Sequence, residues 1–118
     1  MPRDYPRTLR VGEQIRRELA DLLRDEVKDP RVAGVTLLDV QVSRDLGHAK
    51  VYYSVLEDDP QHLEAVQQGL ERAAGFLRGQ LGRRMHVRTV PQLHFVYDET
   101  EKKAAALEDL IRRSLHKD

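Results

Sequence analysis

The stretch RAAGFLRGQLGRRMHVR, residues 72–88, decides how the second half of the chain folds. It holds five arginines, no acidic residue and a literal Gly-x-x-Gly at residues 79–82. In one class of nucleic-acid-binding module, such a loop joins two helices and clamps the backbone of four nucleotides. Here only RRMHV separates Gly82 from an extended stretch, which is too short for a second packed helix. We therefore predict that the Gly-x-x-Gly is accidental and that Gly82 caps the C-terminus of a helix.

The apolar stripe of this helix begins before residue 72 and passes through a run of small residues. Apolar side chains recur every three or four positions from Leu63 to Leu81, which indicates one amphipathic helix or two packed halves. At Ala73, Ala74 and Gly75 the small side chains permit a bend and the close approach of another element. We predict a helix kink at these three residues.

Upstream of this helix, the hydrophobic period changes from that of a helix to that of strands. Residues 8–27 carry apolar residues at helical spacing, and Asp29-Pro30 ends this first helix. Apolar and polar residues then alternate in VTLLDVQVS (35–43) and HAKVYYSVL (48–56), as in half-buried strands. The intervening RDLG supplies turn residues, so an antiparallel hairpin is predicted. In the first strand the residues predicted to face inward are Leu38, Val40 and Val42.

Downstream, one strand and one helix complete the chain. Leu93, Phe95 and Tyr97 alternate with polar or exposed positions in a third strand after Pro91. KAAALEDLIRRSLHK, residues 103–117, places leucines and an isoleucine on one face of a closing helix. The order of helix, strand, strand, kinked helix, strand and helix predicts an α+β fold, with helices covering one face of a three-stranded sheet.

Composition limits the possible classes of protein. The 118 residues suit a single domain, and the absence of cysteine excludes disulfides and thiolate chemistry. Neither a signal-peptide core nor an apolar run of membrane-spanning length is visible. We therefore expect a soluble, cytoplasmic protein with no membrane partner. The formal net charge is zero, but basic residues gather near the N-terminus and in residues 72–88, so a local basic face is expected.

Residues with catalytic or metal-binding patterns are not found. The five histidines are scattered, and none stands four residues from another as in a helical metal site. No nucleophile and base pattern, strand-to-helix phosphate loop or close carboxylate pair is present. The sequence predicts no catalytic residue, no metal site and no cofactor.

Three segments in this order resemble ribosome-binding factor A. They are DPRVAGVTLLDVQVSRDLGHAKVYYSV (29–55), the Ala-x-Gly of residues 73–75 in place of a Gly-x-x-Gly loop, and RTVPQLHFVYD (88–98). The resemblance spans roughly residues 5–100. It implies a type II KH-like fold with a mixed sheet, divided into a KH-like RNA-binding domain, 1–100, and a C-terminal helical extension, 101–118. That extension could dock on the domain or contact the ribosome.

The resemblance also implies a function. Members of this family bind the immature small ribosomal subunit and its RNA, assist late maturation of that RNA and support growth in the cold, without catalysis. We expect the same partners here, with the chain acting as a monomer. The predicted RNA-binding residues are all cationic: Arg3, Arg7, Arg10, Arg44, Lys50, Arg72, Arg78, Arg83, Arg84 and Arg88.

Two other classes of function stay open at this point. A protein-protein interaction module could use the apolar face of the last helix or an edge strand, with the arginines only increasing solubility. A small enzyme of a ferredoxin-like α+β family is the weaker alternative. Steep loss of RNA affinity with salt favours the assembly factor, whereas salt-insensitive binding to a protein favours the interaction module.

Overall fold

The order of helices and strands follows the predicted one. A computed structural model of the chain describes residues 6–115, without the side chains of residues 101 and 102. Within this part the elements are the helices α1 (Arg7–Asp25), α2 (Pro60–Met85) and α3 (Thr100–Leu115), the strands β1 (Thr36–Val42), β2 (His48–Ser54) and β3 (Gln92–Tyr97), and a 3-10 turn at Pro30–Val32.

The three strands form one mixed sheet in the order β1-β2-β3. Strands β1 and β2 are antiparallel, which confirms the predicted hairpin. Strand β3 lies parallel to β2, with His48 beside Gln92 and Tyr53 beside Tyr97. Helix α2 is therefore the crossover connection that parallel neighbours require. The α+β class and the mixed sheet are confirmed.

A β-bulge in β1 changes which leucine faces inward. Leu37 pairs with Tyr53, but the next pair joins Asp39 to Tyr52, so Leu38 is an extra residue on β1. Leu37 is buried and Leu38 only half-buried. The prediction that Leu38 faces the core was wrong, because strict alternation fails wherever one strand carries an additional residue. Val40, beyond the bulge, is buried as predicted.

Helices α1 and α2 cover one face of the sheet and leave the other open. Both helices and the inward face of β2 contribute side chains with less than 2 % exposure: Ile15, Leu19, Leu22, Val66, Leu70, Leu77, Leu81, Val51 and Tyr53. On the opposite face, His48, Lys50 and His94 are exposed. Gln67 of α2 fixes the layers by accepting from the Tyr53 hydroxyl at 2.5 Å and donating to the Phe95 carbonyl at 2.9 Å.

The close approach expected at Gly75 occurs at another glycine. A Cβ on Gly12 of α1 would lie 2.6 Å from the Val40 carbonyl oxygen, so α1 rests directly on the backbone of β1. A Cβ on Gly75 would meet no atom within 4 Å. The prediction of a packed neighbour at Gly75 was therefore wrong. Helix α2 is continuous through Ala73 and Ala74, which excludes two separate halves, while a bend of its axis there stays a prediction.

The C-terminal end of α2 lies further along the chain than predicted. Gly82 is inside the helix, which continues to Met85 and is closed by His86 in the left-handed conformation, φ 55°. The amides of His86 and Val87 both donate to the Gly82 carbonyl. Glycine was the expected residue for a left-handed cap. Here a histidine adopts it, so the assignment of Gly82 as the cap was wrong.

Helix α3 presents an apolar face that no other element of residues 6–115 covers. Leu107, Leu110, Ile111 and Leu115 are each more than half exposed. Asp98 opens the helix by accepting from the Thr100 amide at 2.8 Å. The apolar face that the sequence predicted for the closing helix is therefore accessible to solvent in the described structure.

Candidate nucleic-acid interface

Three distant segments meet at one end of the molecule and enclose a groove of about 490 Å³. The start of α1 contributes Arg7 and Val11, and the β1–β2 turn contributes Asp45, Leu46 and Gly47. The third wall is the end of α2 and the approach to β3, with Met85, Val87, Arg88, Thr89, Val90 and Pro91. We call this site the basic groove. Most of its lining is aliphatic, and two arginines contribute to it.

The turn wall is held by its own hydrogen bonds. The Asp45 carboxylate accepts from the Ser43 hydroxyl at 2.7 Å and from the Gly47 amide at 2.9 Å. Both hydrogen bonds lower the pKa of Asp45, and the bond from Ser43 has the larger effect. The carboxyl group therefore stays ionised. The Gly47 carbonyl accepts from the Gln92 amide at 2.9 Å, which ties the turn to the start of β3.

The opposite wall is fixed by Arg78 of α2. Its guanidinium donates to the carbonyl oxygens of Val90 at 2.8 Å and Pro91 at 3.2 Å. These bonds satisfy two carbonyls just before β3 and hold the segment against α2. Two of the five N–H donors of Arg78 serve this structural role, and its contact with RNA stays a prediction.

Two non-glycine residues with positive φ lie at the groove. Leu46 has φ 61° in the turn, and His86, with φ 55°, stands between the lining residues Met85 and Val87. Such conformations carry a cost in L-residues and persist where the surrounding structure enforces them, often at functional sites. The backbone of the groove at Leu46 and His86 is therefore held in a conformation that the surrounding structure enforces.

The predicted RNA-binding cations divide by the contacts that they make. Arg84 is engaged, because its Nη1 lies 3.1 Å from Glu18 Oε1 and links α2 to α1. Residues 72–88 hold no acidic residue, so the partner of Arg84 comes from a different helix. Arg72 lies close enough to Asp29 to contribute to the lowered pKa of that carboxyl. Among the predicted cations within residues 6–115, those with no side-chain hydrogen bond or ion pair are Arg7, Arg10, Arg44, Lys50, Arg72, Arg83 and Arg88.

The structure brings only some of these cations together. Arg7 and Arg88 both line the basic groove, and Arg44 immediately precedes its turn. Arg83 is exposed in the last turn of α2. Lys50 lies on the open sheet face, where it lines a separate depression with His48 and His94. Arg3 lies outside the described residues.

Helix dipoles do not decide the charge of the groove. The N-terminus of α1, with its partial positive charge, and the C-terminus of α2, with its partial negative charge, both reach the site. These two contributions oppose each other. The arginine side chains therefore dominate the attraction for an anion.

The aliphatic lining of the groove was missed by sequence reasoning. Leu46 lies in a turn and Val87 lies between a helix and a strand, so neither belongs to a periodic stripe. A large apolar residue at such a position is the signal that could have identified them. Among the described residues, no three potential ligands cluster to hold a metal ion, and no helix is long and apolar enough to cross a membrane.

The comparisons with known proteins agree with this architecture. Residues 7–111 match the family model of ribosome-binding factor A. A ribosome-binding factor A of Thioalkalivibrio sulfidiphilus is 58% identical over all of this chain and 91% of the relative. The crystal structure of the Thermus thermophilus ribosome-binding factor A superimposes with a TM-score of 0.68 at 28% identity, covering 79% of this chain and 97% of that one.

A second match concerns a complex of that relative. It is a homology model of the Thermus thermophilus ribosome-binding factor A fitted into the cryo-EM map of a complex with 30S. It superimposes with a TM-score of 0.63 at 28% identity, covering 75% of this chain and 91% of that one.

Proposed function

The chain belongs to the ribosome-binding factor A family, and on this premise we propose that it is a non-catalytic factor for assembly of the small ribosomal subunit. It binds the subunit and its RNA as a monomer in the cytoplasm. It assists late maturation of that RNA, including at low temperature. The match over residues 7–111 supports the assignment, and the 30S complex of the Thermus thermophilus relative supports the partner.

The observation that carries the proposal is the convergence of unpaired arginines. Arg7 and Arg88 lie 81 positions apart in the chain and line the same groove, with Arg44 next to its turn. None of the three forms a side-chain bond within the described residues. A guanidinium without an acidic partner keeps all its donors for phosphate oxygens. Zero net charge does not oppose this role, because the local face makes the contacts.

The proposed mechanism uses binding energy alone. A factor that holds one conformation of an RNA more tightly than the alternatives shifts the population toward that conformation. The layered fold suits this role. Gln67 connects α2 to β3, and Arg78 holds the wall of the basic groove at Val90 and Pro91.

The test is the salt dependence of small-subunit binding by an Arg7→Glu/Arg88→Glu double variant. We expect severe loss of affinity and a log-affinity against log-salt slope that is flatter by roughly 0.7 to 0.9 per lost contact. The control is Arg17→Glu/Arg113→Glu, which changes net charge equally at exposed positions already paired with acids. Equal slopes and affinities for both folded variants would remove the basic groove from the proposal.

One observation favours a second candidate, the protein-protein interaction module. The apolar face of α3 is exposed at Leu107, Leu110, Ile111 and Leu115, and such faces often mark partner sites. Replacing Leu107 and Ile111 by serine leaves the arginines intact. Salt-insensitive binding to a protein that this double variant abolishes would favour the module over the RNA-binding factor.

A further inference from the structure

We propose that the basic groove takes up one unstacked nucleobase of single-stranded RNA, while Arg7 and Arg88 contact the flanking phosphates. This inference rests on the proposed binding of small-subunit RNA and names the chemical form of RNA that the groove recognises. The ligand is a nucleotide extruded from a loop, bulge or chain end. A continuous duplex is the alternative that the geometry disfavours.

The aliphatic lining is the first argument. Val11, Leu46, Met85, Val87 and Val90 line the groove, although phosphate binding alone requires no apolar surface. Bases within a duplex are stacked and cannot enter such a recess, whereas bases of loops and bulges are splayed out and available. A volume of about 490 Å³ lies in the range of small-molecule pockets and admits a single base.

The distribution of charge is the second argument. Asp45 is the one acidic residue among the described residues that line the groove. Its carboxylate is ionised and turned toward Ser43 and the Gly47 amide. It therefore repels a phosphate from the turn side and directs the RNA backbone toward the arginines. The surface over Leu46 is left for the uncharged base.

Pre-organisation is the third argument. The bond between the Gln92 amide and the Gly47 carbonyl holds the turn wall, and Arg78 holds the segment of Val90 and Pro91. A site whose walls are already fixed loses less entropy when a ligand binds. The proposed subsite is also distinct from the predicted kink, since Gly75 lies ten positions before Met85 on α2, or about 15 Å along the helix axis.

The experiment compares two matched valine variants of the full chain. Val87, in the groove, is 41% exposed, and Val96, on the open sheet face, is 36% exposed. Each is changed to serine, which removes apolar surface and leaves charge unaltered. The probes are a short oligoribonucleotide with a central 2-aminopurine and the same strand annealed to its complement.

We expect the parent to bind the single strand about tenfold more tightly than the duplex, because a base within a duplex is stacked and cannot enter the groove. Val87→Ser should lose about fivefold in single-strand affinity, with the salt slope unchanged. Val96→Ser should bind like the parent. The 2-aminopurine emission should change on binding to the parent, which tests base capture without any variant.

Failure of this inference is distinguishable from failure of the proposed function. Equal affinity for strand and duplex, together with unaltered binding by Val87→Ser, would overturn the nucleobase subsite while salt-dependent binding to small subunits survives. If 2-aminopurine emission stays constant when the parent is saturated, the base does not enter the groove. Absence of binding to both RNA and small subunits would overturn the proposed function itself.

Discussion

At the scale of single residues, two glycines on different helices show how packing assigns a role to a small side chain. Gly12 is buried where α1 meets the backbone of β1, whereas Gly75 is exposed on α2 with open space around it. Both lie inside helices whose apolar stripes continue past them in the sequence. Only the tertiary contact, which joins residues far apart in the chain, separates the required glycine from the replaceable one.

We predict that Gly12→Ala destabilises the protein. Alanine gains about 1 kcal/mol of helix propensity over glycine, but its Cβ would lie 2.6 Å from the Val40 carbonyl oxygen, a backbone atom. The displacement of α1 should outweigh that gain and cost about 1–3 kcal/mol net. Urea unfolding measures the difference. Gly79→Ala is the control, because its Cβ meets nothing within 4 Å, and equal stabilisation by both variants would contradict the prediction.

A second residue-scale prediction concerns the pH dependence of stability. The Asp29 carboxylate accepts hydrogen bonds from the Arg31 guanidinium and from the Arg31 backbone amide. These bonds, the guanidinium bond most strongly, lower the pKa of Asp29 from 3.8 to about 2. Because the folded pKa is below the unfolded one, this stabilisation is present above about pH 4 and is lost as the pH falls toward 2. We expect Asp29→Asn to lower the free energy of unfolding at neutral pH, with the deficit shrinking between about pH 4 and pH 2.

The matched variant for this experiment is Asp39→Asn. The Asp39 carboxylate accepts from the adjacent Val40 amide and forms no ion pair within the described residues. Unfolding at several pH values should show a smaller and flatter difference for this variant. A constant deficit for Asp29→Asn across the same range would mean that the ion pair with Arg31 does not stabilise the fold.

At the scale of elements, the last turn of α2 separates two neighbouring arginines that the sequence could not distinguish. Arg84 points to Glu18 of α1, whereas Arg83 has no such partner in the described chain. We predict that Arg84→Glu destabilises the fold by about 1 kcal/mol, because it places two carboxylates together at a partly exposed site. Arg83→Glu should leave unfolding nearly unchanged and flatten the salt slope of small-subunit binding by about 0.7 to 0.9.

Melting curves and binding isotherms for the two single variants check this division. A double change at Arg83 and Arg84 would mix a structural effect with a binding effect, so the two positions are changed separately. A folded Arg83→Glu variant with the parent's affinity and slope would take Arg83 off the list of RNA contacts.

The predicted kink of α2 can be tested on the same helix. Gly75→Ala meets no steric obstacle and should stabilise the helix by about 0.5–1 kcal/mol. If the bend at Ala73-Ala74-Gly75 takes part in binding, this more stable variant should bind small subunits more weakly. Parent-like affinity in a stabilised Gly75→Ala variant would remove the kink from the mechanism.

At the scale of the whole molecule, the sequence predicts the core residues that follow a local hydrophobic period. It does not predict a site that forms where segments distant in the chain meet. Alternation in β2 and β3 and the stripe of α1 identify Val51, Phe95 and Leu19 as core residues. The basic groove depends on the meeting of Arg7, Leu46 and Val87, which no local pattern links. The left-handed His86 cap was also unpredictable, since the expected glycine stands four positions earlier.

The exposed face of α3 leads to a prediction about the independence of the domain. Because Leu107, Leu110 and Ile111 are exposed, their removal takes little apolar surface out of the core. A chain ending at residue 100 should therefore melt within about 4 °C of the full chain, a change equivalent to less than 1 kcal/mol. Calorimetry of both chains tests this, and a loss of more than about 10 °C would show that α3 stabilises the domain.

The bulge at Leu38 also affects how copies of the chain behave toward one another. Strand β1 lies at the edge of the sheet, and an edge strand offers unpaired backbone groups on which another chain can form further strands. The additional residue between Leu37 and Asp39 bends the strand and increases its twist. A second β1 laid alongside it could not keep a regular ladder past that point. The same irregularity that keeps Leu38 out of the core thus disfavours edge-to-edge pairing through β1.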